Sequence, residues 1–134
     1  NLLQNLDLGW NAFSGNLPNF TALHSLRQLH LNDNTPGFSG DLPDYIFDAG
    51  MAGSVHGNTS TVLELDLSGN NLTGTLPAEV QRMVVLTHLD VSGNQLHGYL
   101  PSLPLRWCCT LCMDRKDCLL ILFSFFCSLS MLAF

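Results

Sequence analysis

Basic side chains are scarce. Residues 1–105 hold two of them, Arg27 and Arg82, against nine acidic ones, a net charge of −7. A nucleic-acid partner calls for the opposite balance, so that class of function is set aside. Cysteine is missing from the same stretch, because all five lie between positions 108 and 127. The first hundred residues therefore depend on no disulfide. An initiating Met and a signal-peptide apolar region are lacking too. The chain starts at Asn1 and reads as a fragment or a mature form, so a missing signal is no evidence for the cytosol.

What is present is repetition. The 134 residues are enough for one domain, and the first three-quarters repeats one unit. Leu3-x-x-Leu6-x-Leu8-x-x-Asn11 continues as Phe13-Ser14-Gly15-Asn16-Leu17-Pro18. Leu26-x-x-Leu29-x-Leu31-x-x-Asn34 continues as Phe38-Ser39-Gly40-Asp41-Leu42-Pro43. Val62-x-x-Leu65-x-Leu67-x-x-Asn70 continues as Leu72-Thr73-Gly74-Thr75-Leu76-Pro77. Leu86-x-x-Leu89-x-Val91-x-x-Asn94 continues as Leu96-His97-Gly98-Tyr99-Leu100-Pro101.

Alternating apolar and polar residues in each unit predict a short half-buried strand. One such strand cannot bury its apolar face alone, so successive copies must stack into a parallel sheet. The asparagine at each strand exit can turn inward and bond the bending backbone, so Asn11, Asn34, Asn70 and Asn94 are expected to form a structural ladder. Glycine at 15, 40, 74 and 98 permits backbone geometry closed to other residues. Proline at 18, 43, 77 and 101 then turns the chain onto the opposite side.

The motif LxxLxLxxNxLxGxLP resembles the plant-type leucine-rich repeat of receptor-like kinases, receptor-like proteins and polygalacturonase-inhibitor-like proteins, over roughly residues 3–105. The resemblance implies an α/β fold: a leucine-rich repeat solenoid of about four repeats, with short parallel strands on the concave face. Loops and short 3₁₀ turns are expected on the other face, and a hydrophobic C-terminal segment follows. The domains expected are a repeat domain at 1–105, a Cys-rich linker at 106–117 and a hydrophobic tail at 118–134. No Gly-rich loop and no HRD- or DFG-like run is present, so a kinase half is not in this sequence.

Eighteen residues separate Pro43 from Val62, against seven and eight in the other connections. The segment 44–61 is thus an insertion: either a tolerated surface loop or a loop that helps bind a ligand. Tyr45-Ile46-Phe47 within it is expected to dock as a short helical turn. In the tail, the seventeen uncharged residues 118–134 would span about 26 Å as a helix, a little short of a hydrocarbon core. A membrane helix, a cleaved lipid-anchor signal and sequence read past an exon boundary all remain open for it. Cys108-Cys109-x-x-Cys112 with Cys118 lacks the second pair and the histidine of a zinc site. The resemblance implies instead that Trp107-Cys108 is the remnant of a disulfide-bearing cap.

The concave face is the usual ligand surface of such repeats. Trp10, Gln28, His30, Asp33, Glu64 and His88 depart from the filler of the motif and are the ligand-contact candidates; an exposed Trp often dominates an interface. The aspartates at 66 and 90 read as structural. Asn19, Asn58 and Asn71 begin Asn-x-Ser/Thr sequons and are glycosylation candidates. His30 has Asp7 and Asp66 beside it, but no nucleophile completes a catalytic site, and an open sheet excludes little water. The chain is therefore expected to have no catalytic residues, no cofactor and no metal. The resemblance implies an extracellular recognition module of a receptor-like protein or receptor-like kinase, at the plasma membrane or in the secretory pathway. Its partners would be a protein, peptide or glycan ligand, a co-receptor, and a membrane through 118–134. A secreted inhibitor of a pathogen cell-wall-degrading enzyme and a truncated product without independent function are the alternatives.

Overall fold

The computed structural model describes residues 2–49 and 60–101, together with the backbone of 108–114 and 117–122. Each repeat contributes one three-residue strand to the main sheet: β1 (Asn5–Asp7), β3 (Gln28–His30), β5 (Glu64–Asp66) and β7 (His88–Asp90). They pair in parallel and in strict register, Leu6 on Leu29 on Leu65 on Leu89. The register follows from burial, since a slip by one residue would turn every leucine to solvent. Leu29, Leu65 and Leu89 are fully buried, as are Leu31 and Leu67 one step along. Leu26, Val62 and Leu86 form the third apolar column behind them.

The sequence pattern extends further than four repeats. Strand β8 (Cys108–Asp114) pairs in parallel with β7, placing Leu111 in register with Leu89. Cys108-x-x-Leu111-x-Met113 thus occupies the Leu-x-x-Leu-x-Leu frame, with a cysteine where the first leucine stands. The motif is hidden in the sequence because its Asn and Gly-x-Leu-Pro half does not follow. Cys108–Asp114, within the segment 106–117 read as a linker, thus lies in the sheet. Strand β9 (Asp117–Leu122) then returns antiparallel to β8, which pairs the backbone edge that β8 would otherwise leave open. The start of the apolar tail is extended there, while residues 123–134 lie outside the described ones. Among the described residues no helix is long and apolar enough to cross a membrane.

A second parallel sheet, not legible as strands in the sequence, runs along the side of the coil. It comprises β2 (Ser14–Gly15), β4 (Gly37–Asp41) and β6 (Asn71–Thr73). Phe38 and Leu72 anchor it in the core, and the Phe13 ring stacks on Phe38 at 6.0 Å between centroids. Gly15, Gly40, Gly74 and Gly98 take φ of 86°, 86°, 83° and 105°, the left-handed region that lets the chain leave this sheet. The leucines of Leu17-Pro18, Leu42-Pro43 and Leu76-Pro77 are buried beside them. Repeat two has three residues between Asn34 and Phe38 where repeat one has one between Asn11 and Phe13, and the longer stretch holds a cis Thr35–Pro36 bond.

Behind the second sheet, 3₁₀ turns at Asp44–Asp48 and Ala78–Arg82 each begin after a proline. Ile46 and Phe47 are fully buried, and the Tyr45 hydroxyl donates to the Leu17 carbonyl at 2.6 Å. The base of the insertion is closed by Ser60 Oγ donating to Ala49 O at 2.5 Å; residues 50–59 lie outside the described ones. Arg82 Nη1 bonds Asp48 Oδ1 at 2.9 Å across the two turns, and that carboxylate raises the guanidinium pKa.

Candidate functional site

On the concave face the polar strand positions are brought into rows by the parallel register. One row runs Asn5, Gln28, Glu64, His88 and another Asp7, His30, Asp66, Asp90. Within the first, Asn5 Nδ2 donates to Gln28 Oε1 at 2.5 Å and Gln28 Nε2 donates to Glu64 Oε2 at 2.9 Å. The same Glu64 oxygen lies 3.5 Å from His30 Nε2 in the second row. Three strands are thus linked by one chain of side chains whose members are half-buried or exposed. Stacking produces this: residues about 4.8 Å apart across a parallel sheet bring unlike polar groups within bonding reach.

The aspartates of the second row do something different. Asp7, Asp66 and Asp90 each accept from the backbone N–H two residues on, at Gly9, Ser68 and Ser92, all at 2.9 Å. Asp66 also accepts from the Ser68 hydroxyl at 2.6 Å. These are Asx turns that set the strand exit, and they occupy the carboxylates locally.

Beyond them the exit asparagines point inward. Asn34 Nδ2 lies 3.2 Å from Leu8 O and 2.9 Å from Leu31 O, and its Oδ1 accepts from Phe13 N–H at 3.1 Å. Asn70 bonds Leu31 O, Leu67 O and Ser68 O and accepts from Phe38 N–H. Asn94 bonds Leu67 O and Val91 O and accepts from Leu72 N–H. Each of the three ties its own repeat to the one before it and caps the start of the second sheet. Asn11 reaches only Leu8 O and Gly9 O of its own repeat and is exposed.

A family model described as Leucine Rich Repeat matches residues 61–83 and 85–107. Among solved structures, the chain is similar to a plant peptide hormone receptor, RGFR1, in complex with RGF2. Identity is 33% over 70% of this chain and 13% of that one, with a TM-score of 0.58. It is also similar to the Arabidopsis receptor kinase HAESA in complex with the peptide hormone IDA and the co-receptor SERK1. There identity is 28% over 84% of this chain and 17% of that one, with a TM-score of 0.65. Repeat spacing, parallel stacking and these likenesses agree. The chain is built from leucine-rich repeats of the plant type. It spans less than a fifth of either receptor chain it resembles. No curated protein matches it.

On this leucine-rich repeat scaffold Gln28, His30 and Glu64 come together, and His88 stands next to Glu64 in register. Trp10 and Asp33 lie apart from that group, at the strand exits, where Trp10 N–H donates to Asn32 O at 2.9 Å. Trp10 is 80% exposed. Asn5 and Asn32 share these two groupings and were missed as contact candidates, because polar residues at such positions look like filler until the register is known. Of the sequon asparagines, Asn19 is exposed and its Oδ1 accepts from both the N–H and hydroxyl of Thr21, at 2.9 and 2.7 Å. Asn71 is exposed on β6 and accepts from Gln95 Nε2. Asn58 lies outside the described residues, as do the side chains of all five cysteines. Among the described residues no three His, Cys, Asp or Glu gather as a metal site.

Proposed function

We propose that this leucine-rich repeat chain is a ligand-recognition segment of a plant receptor ectodomain, and that it binds an extended peptide across the concave face outside the cell. The observation that carries the reading is the run of side chains in which Asn5, Gln28 and Glu64 are joined by hydrogen bonds and His30 faces Glu64 at 3.5 Å. It offers donors and acceptors on three successive strands to a backbone laid across them. The similar solved structures add support, because both are receptors captured with peptide hormones and one with a co-receptor. Contact would use Gln28, His30, Glu64 and His88, with Trp10 and Asp33 at the edge. The sides of the coil are left for a co-receptor, and the exposed Asn19 and Asn71 for glycans. The mode of action is binding without chemistry.

The test is a selection of random linear peptides on the full chain, followed by charge reversal at the centre of the face. Glu64→Lys removes the carboxylate that accepts from Gln28 and faces His30, and is expected to weaken the selected peptides about tenfold or more, as loss of a charged hydrogen-bonding partner does. Val84→Lys introduces a lysine away from the strand face, at an exposed position, and is expected to leave binding unchanged. Equal effects of the two substitutions, or none, would remove the concave face from the reading.

A further inference from the structure

Backbone register places the four cysteines that fall in the described strands. Strand β8 holds Cys108, Cys109 and Cys112, and β9 holds Cys118. In the antiparallel ladder Cys112 is the partner of Cys118, whereas Cys108 is matched to Leu122 and Cys109 to Ile121. Directly opposed residues of such a ladder have Cα atoms about 4.5–5.5 Å apart. That lies inside the range of about 4.4–6.8 Å that a disulfide spans.

No other pairing among these four fits the range. Cys109 and Cys112 are three steps apart on one strand, about 10 Å at the usual rise. Cys109 and Cys118 add the strand spacing to the same offset, about 11 Å, and Cys108 is a step farther from both Cys112 and Cys118. The neighbours Cys108 and Cys109 are about 3.8 Å apart, below the range. The fifth cysteine, Cys127, lies outside the described residues.

The place of the pair in the sheet gives a bond there a use. The ladder shifts register between Cys112 and Asp114, which leaves Met113 unmatched, as in a bulge. A slip of one residue next to it would exchange the two faces of β9. Strand β9 pairs the outer edge of β8, an edge that is open to other chains without it. Cys112 also extends the concave row of Asp7, His30, Asp66 and Asp90. Those four positions are half-buried or exposed, so this is the side of the sheet that an oxidant reaches.

We infer that Cys112 and Cys118 form a disulfide that locks β9 in register on β8. The bond forms by thiol–disulfide exchange with oxidised glutathione or a protein disulfide. One cysteine thiolate attacks that disulfide and expels a thiolate; the second cysteine then attacks the mixed disulfide and expels the other. Two electrons pass from the cysteines to the oxidant, and their two protons end on its released thiols.

The test takes the full chain, equilibrated with reduced and oxidised glutathione. It is alkylated with one reagent, reduced, and alkylated with a second. Fragment mass spectra are expected to show the second label on Cys112 and Cys118 and the first on Cys108 and Cys109. Trypsin cuts after Arg115 and Lys116, between the two cysteines, so the unreduced digest should hold 107–115 joined to 117–134. The second label on Cys108, Cys109 or Cys127 in place of either, or the first label on all five, overturns the bond. Cys118→Ser is expected to remove the linked peptide and to speed amide exchange in β9 about tenfold or more, because the short loop is no longer closed. Exchange in β3 and β5 should keep its rate, and reduction of the parent chain should reproduce the change. Unaltered β9 exchange in both experiments overturns the locking role. Neither failure touches the peptide-binding reading above.

Discussion

The Asn70 carboxamide reaches four backbone groups in two repeats. Its Nδ2 lies 2.9 Å from Leu31 O and 3.0 Å from both Leu67 O and Ser68 O, while Oδ1 accepts from Phe38 N–H at 3.0 Å. An apolar residue there would leave those groups short of partners at a half-buried position. Asn70→Ala is therefore expected to lower the unfolding free energy by about 2–3 kcal/mol, the range for stranding buried polar groups that water partly reaches. Asn11 makes a useful contrast, because it is exposed and bonds only Leu8 O and Gly9 O within its own repeat. Asn11→Ala is expected to cost less than about 1 kcal/mol. Urea denaturation of the two variants checks the difference, and equal losses would mean the inter-repeat bonds add little.

At the scale of elements, the second sheet depends on a few aromatic and aliphatic anchors. Phe38 is buried in β4, its ring stacked on Phe13 and its N–H held by Asn70. Phe38→Ala would empty that space between repeats and is expected to destabilise the chain by about 3–5 kcal/mol, as core Phe→Ala changes do. Thermal unfolding followed by circular dichroism measures it; a loss under 1 kcal/mol would show that β2, β4 and β6 carry little of the packing. The main strands could be read directly, because Leu65 and Leu67 alternate with polar residues and the alternation recurs in register. The 3₁₀ turn could be read from Tyr45-Ile46-Phe47 following Pro43. The second sheet could not, since Asn71-Leu72-Thr73 alternates too briefly to be separated from a loop without its neighbours. Strand β8 escaped because Cys108 replaces a leucine and no Asn follows at the exit. The site was only partly legible for the same reason. Trp10 and Asp33 align with Gly69 and Gly93, which marks a left-handed position, but the run of Asn5, Gln28 and Glu64 with His30 beside it exists only once register is set.

For the whole molecule, the stack makes stability a matter of neighbours. A repeat contributes its own packing plus two interfaces if it is internal and one if it lies at an end. Strand β5 has β3 and β7 on its two sides, whereas β1 pairs only with β3. The Leu67 N–H donates to Asp90 O and the Leu8 N–H to His30 O, both at 2.8 Å, so the two bonds are alike in themselves. Any difference in their opening reports position in the stack rather than bond quality. Local opening free energies run from near zero at fraying ends to the global value in the centre. Native-state hydrogen exchange on this chain is therefore expected to show Leu67 exchanging roughly a hundredfold more slowly than Leu8. Addition of a peptide selected on the concave face should slow Leu8 more than Leu67. A peptide laid across β1, β3 and β5 ties β1 to the two strands beside it. If Leu8 and Leu67 exchange alike with and without peptide, the array opens as a single unit, and the nearest-neighbour account of its stability fails.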